Sequence, residues 1–573
     1  MSAIHIDGVL GEAAASAQAR RQVAGSSTLP DLLDQSVSRF PDRPALEFCG
    51  RAWTYREVGA LADRLAAGLA RLGVGRGVRV GLCLPNTPYF VVFYFAVLKA
   101  GGTVVNFNPL YTSRECATQI RDSGTTVMVV SDIARIYDPV AAVADEAGLH
   151  HLVVCPLADV LPLGRGVLYR LFRRSETARV PADARHVRWA RLVGRSGGSR
   201  TRATVRPDDV ALLQYTGGTT GTPKGAMLTH ANLAGNVAQL APLVREAGLR
   251  DGRERVLAVI PLFHVFAMTV AMNLALKIGA QIILVPQFKI DQLLATIART
   301  RPTFFPAVPT LFGAINKAAE TATVDLGSIR LCISGGAPLP AEIAARFEAL
   351  TGCRVSEGYG LTECSPVVCV NPFDARRRAG SVGLPLADTA IEIRDPRHPD
   401  RILPPGAKGE VFVRGPQVMA GYWRRPAETA EILLDGALKT GDIGYRDADG
   451  FLFLVDRIKD LILCGGYNVY PRQIEDALYE HEAVEEAVAI GIPDAYRGES
   501  PKAFVKLRAG HDTTPEALRV FLAARISKIE LPREIEIRAS LPKTAVGKLS
   551  KKELVAEERD RADRAALDRR ASA

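Results

Sequence analysis

The chain has 573 residues, of which 47% are apolar and 23% charged, as in folded globular proteins and unlike disordered chains. Its nine cysteines form no C-x-x-C pair and no Cys/His cluster, which excludes a disulfide framework and a zinc site. The net charge of +10 raises the question of a nucleic-acid or membrane partner.

Residues 1–28 form an N-terminal extension, expected to be disordered, that lacks the apolar core of a signal peptide. The cysteines lie mostly inside apolar runs and fit buried, reduced thiols in a cytoplasmic protein. The longest apolar run, residues 88–98, is too short to cross about 30 Å of hydrocarbon. It predicts a buried helix instead.

From residue 29 onward, strand-like and helix-like stretches alternate. The strand candidates are residues 78–84, 103–107, 125–130, 255–260, 281–285, 304–308 and 330–334. This rhythm predicts an α/β fold in which a large N-terminal domain, residues 29–458, contains doubly wound mixed sheets. Ligands of such sheets bind beyond the carboxyl ends of the strands, so the loops that follow these strands should carry the chemistry.

Two later regions have a different pattern of predicted secondary structure. Residues 380–456 contain short strand candidates with Pro-Gly turns and predict a small antiparallel β-barrel subdomain. Residues 459–555 predict a small, mobile α+β C-terminal lid domain, and residues 556–573 predict a charged tail.

The positive charge is concentrated in an insertion at about residues 165–206, which holds twelve arginines against two carboxylates and so carries +10 by itself. A local charge fits one docking surface better than a nucleic-acid footprint. Tyr169, Phe172 and Trp189 lie among the arginines, a mixture that an anionic membrane surface favours. A solvated basic insertion is the alternative interpretation.

Residues 215–225 combine four glycines, four threonine hydroxyls and Lys224 directly after a strand candidate. Glycines let backbone N–H groups approach phosphate oxygens, hydroxyls add donors, and lysine adds a compact charge. The stretch is not a Walker A loop, because Pro223 stands where that motif has its second glycine and Gly225 follows Lys224. Taken alone, it predicts either a polyphosphate loop or a surface turn.

Four further stretches accompany this loop. They are residues 334–338 (Ser-Gly-Gly-Ala-Pro), 357–363 (Glu-Gly-Tyr-Gly-Leu-Thr-Glu), 440–442 with 456–457 (Thr-Gly-Asp and Asp-Arg), and 541–548 (Leu-Pro-Lys-Thr-Ala-Val-Gly-Lys). Together and in this order, they resemble the acyl-adenylate-forming enzymes, which include acyl-CoA synthetases, beetle luciferase and peptide-synthetase adenylation domains. The chain is most similar to the bacterial long-chain fatty-acid–CoA ligases, over about residues 29–554. The markers of that subgroup are residues 216–221, 261–266 (Pro-Leu-Phe-His-Val-Phe), 358–366 and 455–471.

The resemblance implies a two-step reaction. The carboxylate of a medium- to long-chain fatty acid attacks the α-phosphate of ATP to give acyl-AMP and pyrophosphate, and the thiol of coenzyme A then displaces AMP. Mg²⁺ is the implied cofactor, and ATP and coenzyme A are co-substrates. Neither step needs a covalent enzyme intermediate, so catalysis must come from positioning and charge neutralisation.

The resemblance also assigns residues to ATP. Those implied for the β- and γ-phosphates are Thr216, Gly217, Gly218, Thr219, Thr220, Gly221 and Lys224. Those implied for adenine are Gly335, Gly336, Ala337, Tyr359, whose ring would stack on the base, and Gly360, and Gly358 completes the set. Asp442 would accept hydrogen bonds from the ribose hydroxyls. Arg457 would reach the ribose or a phosphate, unless it pairs with Asp456 or Asp460.

Four residues are implied as catalytic. Glu363 would hold Mg²⁺, a hard cation that prefers oxygen ligands, and Thr362 would touch the α-phosphate. Lys548 would place an ammonium between the substrate carboxylate and the α-phosphate as their negative charges meet. His264 would lie near the substrate carboxylate and shape the acyl entrance, although a histidine packed in an aromatic cluster is the alternative.

A further implication is that the C-terminal domain rotates between the two steps, with Lys459 or Asp460 as the hinge. Rotation would withdraw Lys548 and open a tunnel for the pantetheine arm of coenzyme A. The residues expected at that coenzyme A access are Gly465, Gly466 and Tyr467.

We therefore expect a cytoplasmic acyl-CoA ligase that attaches peripherally to the inner membrane surface through the basic insertion. The sequence does not decide whether it forms a homodimer. One alternative is a ligase for an aryl or other carboxylate, or one that serves a carrier protein. A non-catalytic nucleotide-binding protein or a basic nucleic-acid-binding protein is the alternative from another class. The presence of Glu363, Asp442 and Lys548 counts against the former, and the confinement of charge to one insertion counts against the latter.

Overall fold

The computed structural model describes residues 27–194, 203–216, 223–320, 325–464, 467–494, 496–544 and 547–571. The α-helices of the large domain are α1 (Leu29–Arg39), α2 (Tyr55–Arg71), α3 (Pro88–Lys99), α4 (Ser113–Ser123), α5 (Ala134–Ala141), α6 (Leu163–Phe172), α7 (Trp189–Gly194), α8 (His230–Glu246), α9 (Leu274–Lys277), α10 (Ile290–Thr300), α11 (Pro309–Ala318), α12 (Ala341–Thr351) and α13 (Pro426–Ile432). Those of the C-terminal domain are α14 (Pro471–Tyr479), α15 (Pro515–Ala523) and α16 (Lys551–Ala571).

The strands of the large domain are β1 (Pro44–Phe48), β2 (Arg51–Thr54), β3 (Arg79–Cys83), β4 (Thr103–Asn106), β5 (Thr125–Ser131), β6 (His151–Cys155), β7 (His186–Arg188), β8 (Val210–Thr216), β9 (Lys224–Thr229), β10 (Arg255–Ala258), β11 (Gln281–Leu284), β12 (Phe304–Ala307), β13 (Leu331–Ser334), β14 (Val355–Gly360), β15 (Val367–Val370), β16 (Leu384–Pro385), β17 (Ala390–Arg394), β18 (Gly409–Arg414), β19 (Leu433–Leu434), β20 (Ala437–Arg446) and β21 (Leu452–Arg457). Those of the C-terminal domain are β22 (Ile462–Cys464), β23 (Tyr467–Val469), β24 (Val484–Asp494), β25 (Gly498–Leu507) and β26 (Glu534–Ile537). Short 3₁₀ turns lie at Leu157–Val160, Arg174–Glu176, Thr362–Cys364 and Ile458–Asp460, and a π-helix lies at Ala267–Asn273.

Two mixed sheets form the body of the large domain, as the alternating sequence predicts. The first has the order β7-β6-β5-β3-β4-β8-β9, parallel except for the β8–β9 pair. The second has the order β16-β15-β14-β13-β12-β10-β11-β1-β2 and is parallel from β14 to β1. The doubly wound α/β fold is therefore confirmed.

Several helices begin where the sequence provides a threonine followed three residues later by a side chain that can bind back. In α1, α2, α4 and α8 the threonine hydroxyl accepts from the backbone N–H of the residue three positions later. The side chain of that residue accepts in turn from the threonine N–H. This capping box satisfies donors that a helix start leaves open. The four pairs are Thr28–Asp31, Thr54–Glu57, Thr112–Glu115 and Thr229–Asn232.

Helix α3, the long apolar run of the sequence, is buried on every side, as expected. Its one charged residue, Lys99, is paired with Asp34 and Asp63. Just before α3, the Asn86 side-chain amide donates to the carbonyls of Ala258 and Ile260, beyond the end of β10. The helix and its preceding loop thus connect the two sheets.

The region expected as a small barrel forms a third, antiparallel sheet of β17, β18, β20 and β19, with β21 paired to β20. The C-terminal domain is α+β, with the order β23-β22-β25-β24 and β26 parallel to β25. Its apolar core, which includes Ile474, Leu478, Val505 and Leu518, is drawn from its own residues. Within the described residues, no apolar cluster contains members of both domains.

Helix α16 runs through residue 555, where the sequence predicts the start of a charged tail. Leu554 is fully buried against Val488, Ile490 and Phe504. Nearby, the buried Lys502 ammonium lies within 3.0 Å of Glu558, on the same helix. The first turns of α16 are therefore packed onto the C-terminal domain.

Candidate active site

A cleft of ≈ 1460 Å³ lies between the C-terminal domain and the strand ends of the large domain. The expected residues that line it are Thr216, Lys224, His264, Gly335, Gly336, Ala337, Gly358, Tyr359, Gly360, Thr362, Glu363, Asp442, Arg457, Lys459, Asp460 and Lys548. Those that fall outside the described residues are Gly217, Gly218, Thr219, Thr220, Gly221, Gly465 and Gly466. Tyr467 is exposed on the C-terminal domain, away from this lining.

Strand topology brings these residues together from distant parts of the chain. The antiparallel β8–β9 pair places Thr216 opposite Lys224. Strand β13 ends at Ser334, directly before Gly335, and its neighbour β14 ends at Gly360. The loops beyond the carboxyl ends of these strands therefore form the cleft, as expected for a doubly wound sheet.

Asp442 is buried and both of its carboxylate oxygens are engaged. Tyr359 Oη donates to Asp442 Oδ2 at 2.6 Å, and Arg457 Nε donates to Asp442 Oδ1 at 2.8 Å. The β20–β21 pairing sets Asp442 directly opposite Arg457, and the carboxylate raises the pKa of that guanidinium. A carboxylate has about four acceptor positions, so Asp442 can still accept hydrogen bonds from a ligand.

Glu363 sits on the 3₁₀ turn Thr362–Cys364 and lines the cleft. Its Oε1 accepts a hydrogen bond from Tyr422 Oη at 2.7 Å. The Lys224 ammonium lies 5.3 Å from the centre of the same tyrosine ring. One carboxylate and one ammonium thus share a single aromatic neighbour.

Within the described part of the chain, no group of three or more His, Cys, Asp or Glu side chains is placed to hold a metal ion alone. Mg²⁺ is commonly held by one or two carboxylates together with substrate phosphates. Glu363, which shares Tyr422 as a neighbour with Lys224 of the expected phosphate loop, fits that manner of binding.

At Gly335 and Gly360, two residues expected to contact adenine, the structure leaves little or no room for a side chain. A Cβ on Gly335 would lie 3.0 Å from Phe266 Cζ, and a Cβ on Gly360 would lie 1.9 Å from the Pro366 carbonyl oxygen. Glu357 Oε1 accepts from the Leu339 N–H at 3.1 Å, and burial raises the pKa of Glu357.

Lys548 reaches into the cleft from a loop of the C-terminal domain. The Thr544 N–H donates to the Lys548 carbonyl at 2.7 Å, and Gly547 adopts a left-handed φ of +80° that turns the loop. Burial lowers the pKa of Lys548 to about 8, and the positive charge of Arg457 adds to the shift.

His264 follows β10 and packs against Phe263, with ring centres 4.5 Å apart. Burial lowers the pKa of His264 to about 3, and the nearby charge of Lys548 lowers it further. The imidazole is therefore neutral at physiological pH. Its Nε2 is buried and finds no hydrogen-bond partner among the described residues, so the ring is packed with an aromatic neighbour and keeps one unpaired nitrogen.

Comparison with known families covers most of the chain. Residues 33–423 match the AMP-binding enzyme family, and residues 473–548 match the AMP-binding enzyme C-terminal domain. The chain belongs to the AMP-binding enzyme family. The first matched segment contains the strand ends at Gly335 and Gly360, and the second contains Lys548.

Relatives span nearly the whole length of this AMP-binding enzyme. A long-chain-fatty-acid–CoA ligase of Bacillus subtilis (strain 168) is 40% identical over 541 residues, which cover 93% of this chain and 95% of the relative. Among solved structures, ATP-bound MatB from Rhodopseudomonas palustris has a TM-score of 0.79 at 29% identity, covering 92% of this chain and 98% of MatB. Apo MatB has a TM-score of 0.71 at 30% identity, with the same coverage.

Sequence reasoning missed side chains of the AMP-binding enzyme that touch its expected site residues. Tyr422 binds Glu363, and Gln214 Nε2 donates to the Phe263 carbonyl, next to His264, at 3.0 Å. No spacing in the sequence signals either contact. Gln214 lies on β8 and Tyr422 lies beside β9, so both contacts join segments that are distant in the chain.

The two domains of the AMP-binding enzyme meet through polar contacts. Arg508 Nη2 lies 2.8 Å from both carboxylate oxygens of Glu342, and Lys317 Nζ lies 3.4 Å from Glu485 Oε1. The expected hinge residues Lys459 and Asp460 form the 3₁₀ turn Ile458–Asp460. Exposed ion pairs of this kind are weak, and the described residues show no apolar seam that would fix the domains.

The basic insertion of the AMP-binding enzyme presents helix α6 to solvent. The apolar residues of α6 that are between 53% and 90% exposed are Leu163, Val167, Leu168, Leu171 and Phe172. Trp189 is half-buried: its ring packs edge-on against Tyr89 at 5.1 Å, and its Nε1 donates to Asp159 at 3.0 Å. Among the described helices, none has both the length and the apolarity that a membrane span requires.

Proposed function

We propose that this AMP-binding enzyme is an ATP-dependent ligase that activates a medium- to long-chain fatty acid as acyl-AMP and transfers the acyl group to coenzyme A. The observation that carries the proposal is the position of Lys548, which reaches Gly336 in the same cleft as Glu363 and Asp442. The names of the curated relatives support a fatty acid as the substrate. The apolar part of the cleft lining also suits an acyl chain; it includes Ile260, Val265, Phe266, Val270, Val308 and Val367.

The first step places two anions in contact, and the chain's residues oppose that repulsion. Lys548 carries an ammonium to the point where the substrate carboxylate meets the α-phosphate, beside Thr362. Lys224, with residues 216–221, holds the β- and γ-phosphates, and Asp442 accepts the ribose hydroxyls. His264, neutral at the site, donates or accepts one hydrogen bond near the substrate carboxylate.

Glu363 and the phosphates would hold Mg²⁺, which supplies charge neutralisation on the phosphate oxygens when it is bound. The carboxylate of Glu363 is oriented by its hydrogen bond from Tyr422. Thr362, the neighbouring residue on the same 3₁₀ turn, offers a neutral donor to the α-phosphate.

The second step requires a thiol where Lys548 now lies. We expect the C-terminal domain to rotate about Lys459 and Asp460, which withdraws Lys548 and turns Tyr467 toward the cleft. The separate apolar core of the C-terminal domain and its polar contacts with the large domain permit such a rotation. The higher TM-score to ATP-bound than to apo MatB supports an adenylation-competent arrangement here.

Pyrophosphate release tests the proposal. We expect release with saturated fatty acids from hexanoate to stearate, rising to steady turnover only when coenzyme A is added. Benzoate and cinnamate serve as matched aryl acids. Faster turnover with the aryl acids would contradict the assigned substrate class, and turnover that ignores coenzyme A would point to a carrier protein as the acyl acceptor.

We further propose that helix α6 attaches the enzyme to an anionic membrane surface, from which the fatty acid is supplied. The exposed apolar residues of α6 recur at positions 163, 167 and 171, with 168 and 172 beside them, and so share one face. Arg165 and Arg170 tie the helix to the body through the Cys49 carbonyl and Asp159. A helix with an apolar face and flanking arginines suits the boundary between anionic headgroups and acyl chains.

Flotation with vesicles tests this attachment. We expect binding to vesicles that contain phosphatidylglycerol, weaker binding at about 1 M salt, where the Debye length falls to about 3 Å, and little binding to neutral vesicles. The variant Leu171→Ser with Phe172→Ser should lose binding by about tenfold or more. A control with Ile402→Ser and Val520→Ser, which are also exposed apolar residues, should bind normally. Failure of the unaltered protein to bind at either salt concentration would end the proposal.

A further inference from the structure

Tyr422 touches two groups of the proposed adenylation site at once. Its hydroxyl donates to Glu363 Oε1 at 2.7 Å, and its ring lies under the Lys224 ammonium, 5.3 Å from Nζ to the ring centre. Tyr422 itself lines the cleft beside both residues. Tyr422 thus contacts both the carboxylate expected to hold a metal ion and the ammonium expected to hold phosphate.

The backbone around Tyr422 is fixed to strand β9, which begins at Lys224. Tyr422 forms a bridge with Ala226, the Met227 N–H donates to the Gly421 carbonyl at 2.8 Å, and the Trp423 N–H donates to the Gly225 carbonyl at 2.8 Å. The Tyr422 N–H donates to Thr429 Oγ1 at 2.9 Å. The ring therefore has a defined position relative to the strand that follows the phosphate loop.

Asp122, at the end of α4, also holds this segment through hydrogen bonds. Its Oδ2 accepts from Tyr215 Oη at 2.5 Å, and its Oδ1 accepts from Arg425 Nη2 at 2.6 Å. The Trp423 indole N–H donates to the Asp122 carbonyl at 3.2 Å. Asp122 therefore binds both strand β8, which precedes the expected phosphate loop, and the segment around Tyr422.

We propose that Tyr422 is a positioning residue for adenylation, whose hydroxyl orients Glu363 toward Mg²⁺ and whose ring positions Lys224 toward the nucleotide phosphates. This inference rests on the proposed function. A tyrosine hydroxyl that donates to a ligating carboxylate leaves the second oxygen free for the cation. An ammonium over an aromatic face gains attraction to the ring without losing its charge. Hydroxyl and ring therefore have separable effects.

The effects of the hydroxyl and of the ring can be measured separately by ATP binding. Fatty acid is left out so that ATP is not consumed during the measurement. ATP affinity is measured by calorimetry in the presence of EDTA and again during a Mg²⁺ titration, for the unaltered protein, Tyr422→Phe, Tyr422→Leu, Glu363→Gln and Tyr445→Phe. Tyr445 is a matched control, since its ring stacks on Phe453 at 5.0 Å and it does not line the cleft.

Tyr422→Phe should raise the Mg²⁺ concentration needed for half-maximal tightening of ATP by about 10-fold to 100-fold, with metal-free ATP affinity unchanged. Tyr422→Leu should show the same shift and also weaken metal-free ATP binding by about threefold, because Lys224 loses its ring. Glu363→Gln should shift the Mg²⁺ dependence alone, and Tyr445→Phe should shift nothing.

Two results overturn the inference in distinguishable ways. If Glu363→Gln shifts the Mg²⁺ dependence and Tyr422→Phe does not, Tyr422 has no positioning role while the proposed metal site stands. If neither variant shifts it, the assignment of Glu363 to Mg²⁺ fails, and the role of Tyr422 fails with it. A loss of metal-free ATP binding in Tyr422→Phe would also contradict the proposed division between hydroxyl and ring.

Discussion

The end of the Lys548 side chain rests against Gly336, so closely that a Cβ on Gly336 would lie 2.9 Å from Lys548 Cε and 3.1 Å from Nζ. Gly336 also adopts a φ of +82°, which favours glycine for a second reason. The contact joins the C-terminal domain to the expected adenine wall of the large domain. The Lys548 ammonium therefore lies in the cleft, where the proposed adenylation needs positive charge.

Lys548→Ala should slow acyl-AMP formation by at least about 10²-fold, the usual effect of losing one preorganised charge-stabilising donor. Thioester formation from supplied acyl-AMP should survive, because Lys548 leaves the cleft in that step. The two half-reactions are measured separately, by pyrophosphate release and by acyl-CoA formation. An equal loss in both would contradict the assigned role.

The pH dependence of adenylation should report Lys548. Its pKa is lowered to about 8, so the ammonium is lost as pH rises through that value, and kcat/KM for ATP should fall above it. Lys548→Arg should be slower but should lose this alkaline limb, because arginine stays protonated. His264, with a pKa lowered to about 3, stays neutral across the measured range. An alkaline limb retained in Lys548→Arg would assign the titration to another group.

Local pattern was enough to predict several strands of the two large sheets and one buried helix. Strand β3 (Arg79–Cys83) falls inside the expected 78–84, and the apolar run at 88–98 became the buried helix α3. Long-range strand pairing was not predictable. Strand β1 pairs with β11, with Leu46 opposite Ile282, and the sequence of neither strand indicates which strand it will pair with. The boundary expected at residue 555 falls inside helix α16, whose sequence is mostly charged; among its described side chains, only that of Leu554 is fully buried.

At the candidate site, motifs predicted which residues meet but not what holds them. Thr216 ends β8, Asp442 lies in the middle of β20 and Lys548 lies on a loop, and all three line one cleft. The Tyr422–Glu363 hydrogen bond depends on a bridge between Tyr422 and Ala226, which only the folded chain creates. The contact of Trp189 with Tyr89 also arises only in the folded chain and cannot be inferred from its arginine neighbours.

Gly547→Ala should slow adenylation more than thioester formation. Gly547 has a φ of +80°, and a Cβ there would lie 3.0 Å from Thr310 Oγ1 in the large domain. Gly510→Ala is a matched control in the same domain, with φ +80° but open space around the Cβ. Both variants carry a backbone strain of about 1–2 kcal/mol, so any stability loss should be shared. Only Gly547→Ala should lower the adenylation rate, by about tenfold, through a displaced Lys548.

Glu342→Gln should modestly disfavour the domain arrangement that places Lys548 in the cleft. It removes the charge that Arg508 contacts across the interface, and adenylation should fall by about two- to fivefold at low salt. At high salt the variant and the unaltered protein should converge. Glu480→Gln, whose partner Arg525 lies in the same domain, should leave adenylation unchanged. An equal effect of the two variants would show that the interface pair does not set the domain arrangement.

Lys459→Pro should block the second step while sparing the first. Lys459 lies in the 3₁₀ turn Ile458–Asp460, where φ of about −50 to −70° suits proline, which fixes φ near −65°. The arrangement with Lys548 in the cleft is therefore compatible with proline, whereas a rotation that changes φ at residue 459 is not.

Thioester formation from supplied acyl-AMP should fall by about tenfold or more in Lys459→Pro, since a strained backbone state costs about 1–3 kcal/mol. Ser175→Pro is the matched control, because Ser175 is the middle residue of the 3₁₀ turn Arg174–Glu176, far from the hinge in sequence. It should leave both half-reactions intact. If Lys459→Pro slowed both half-reactions equally, the pivot would lie elsewhere, and Asp460→Pro would be the next variant to compare.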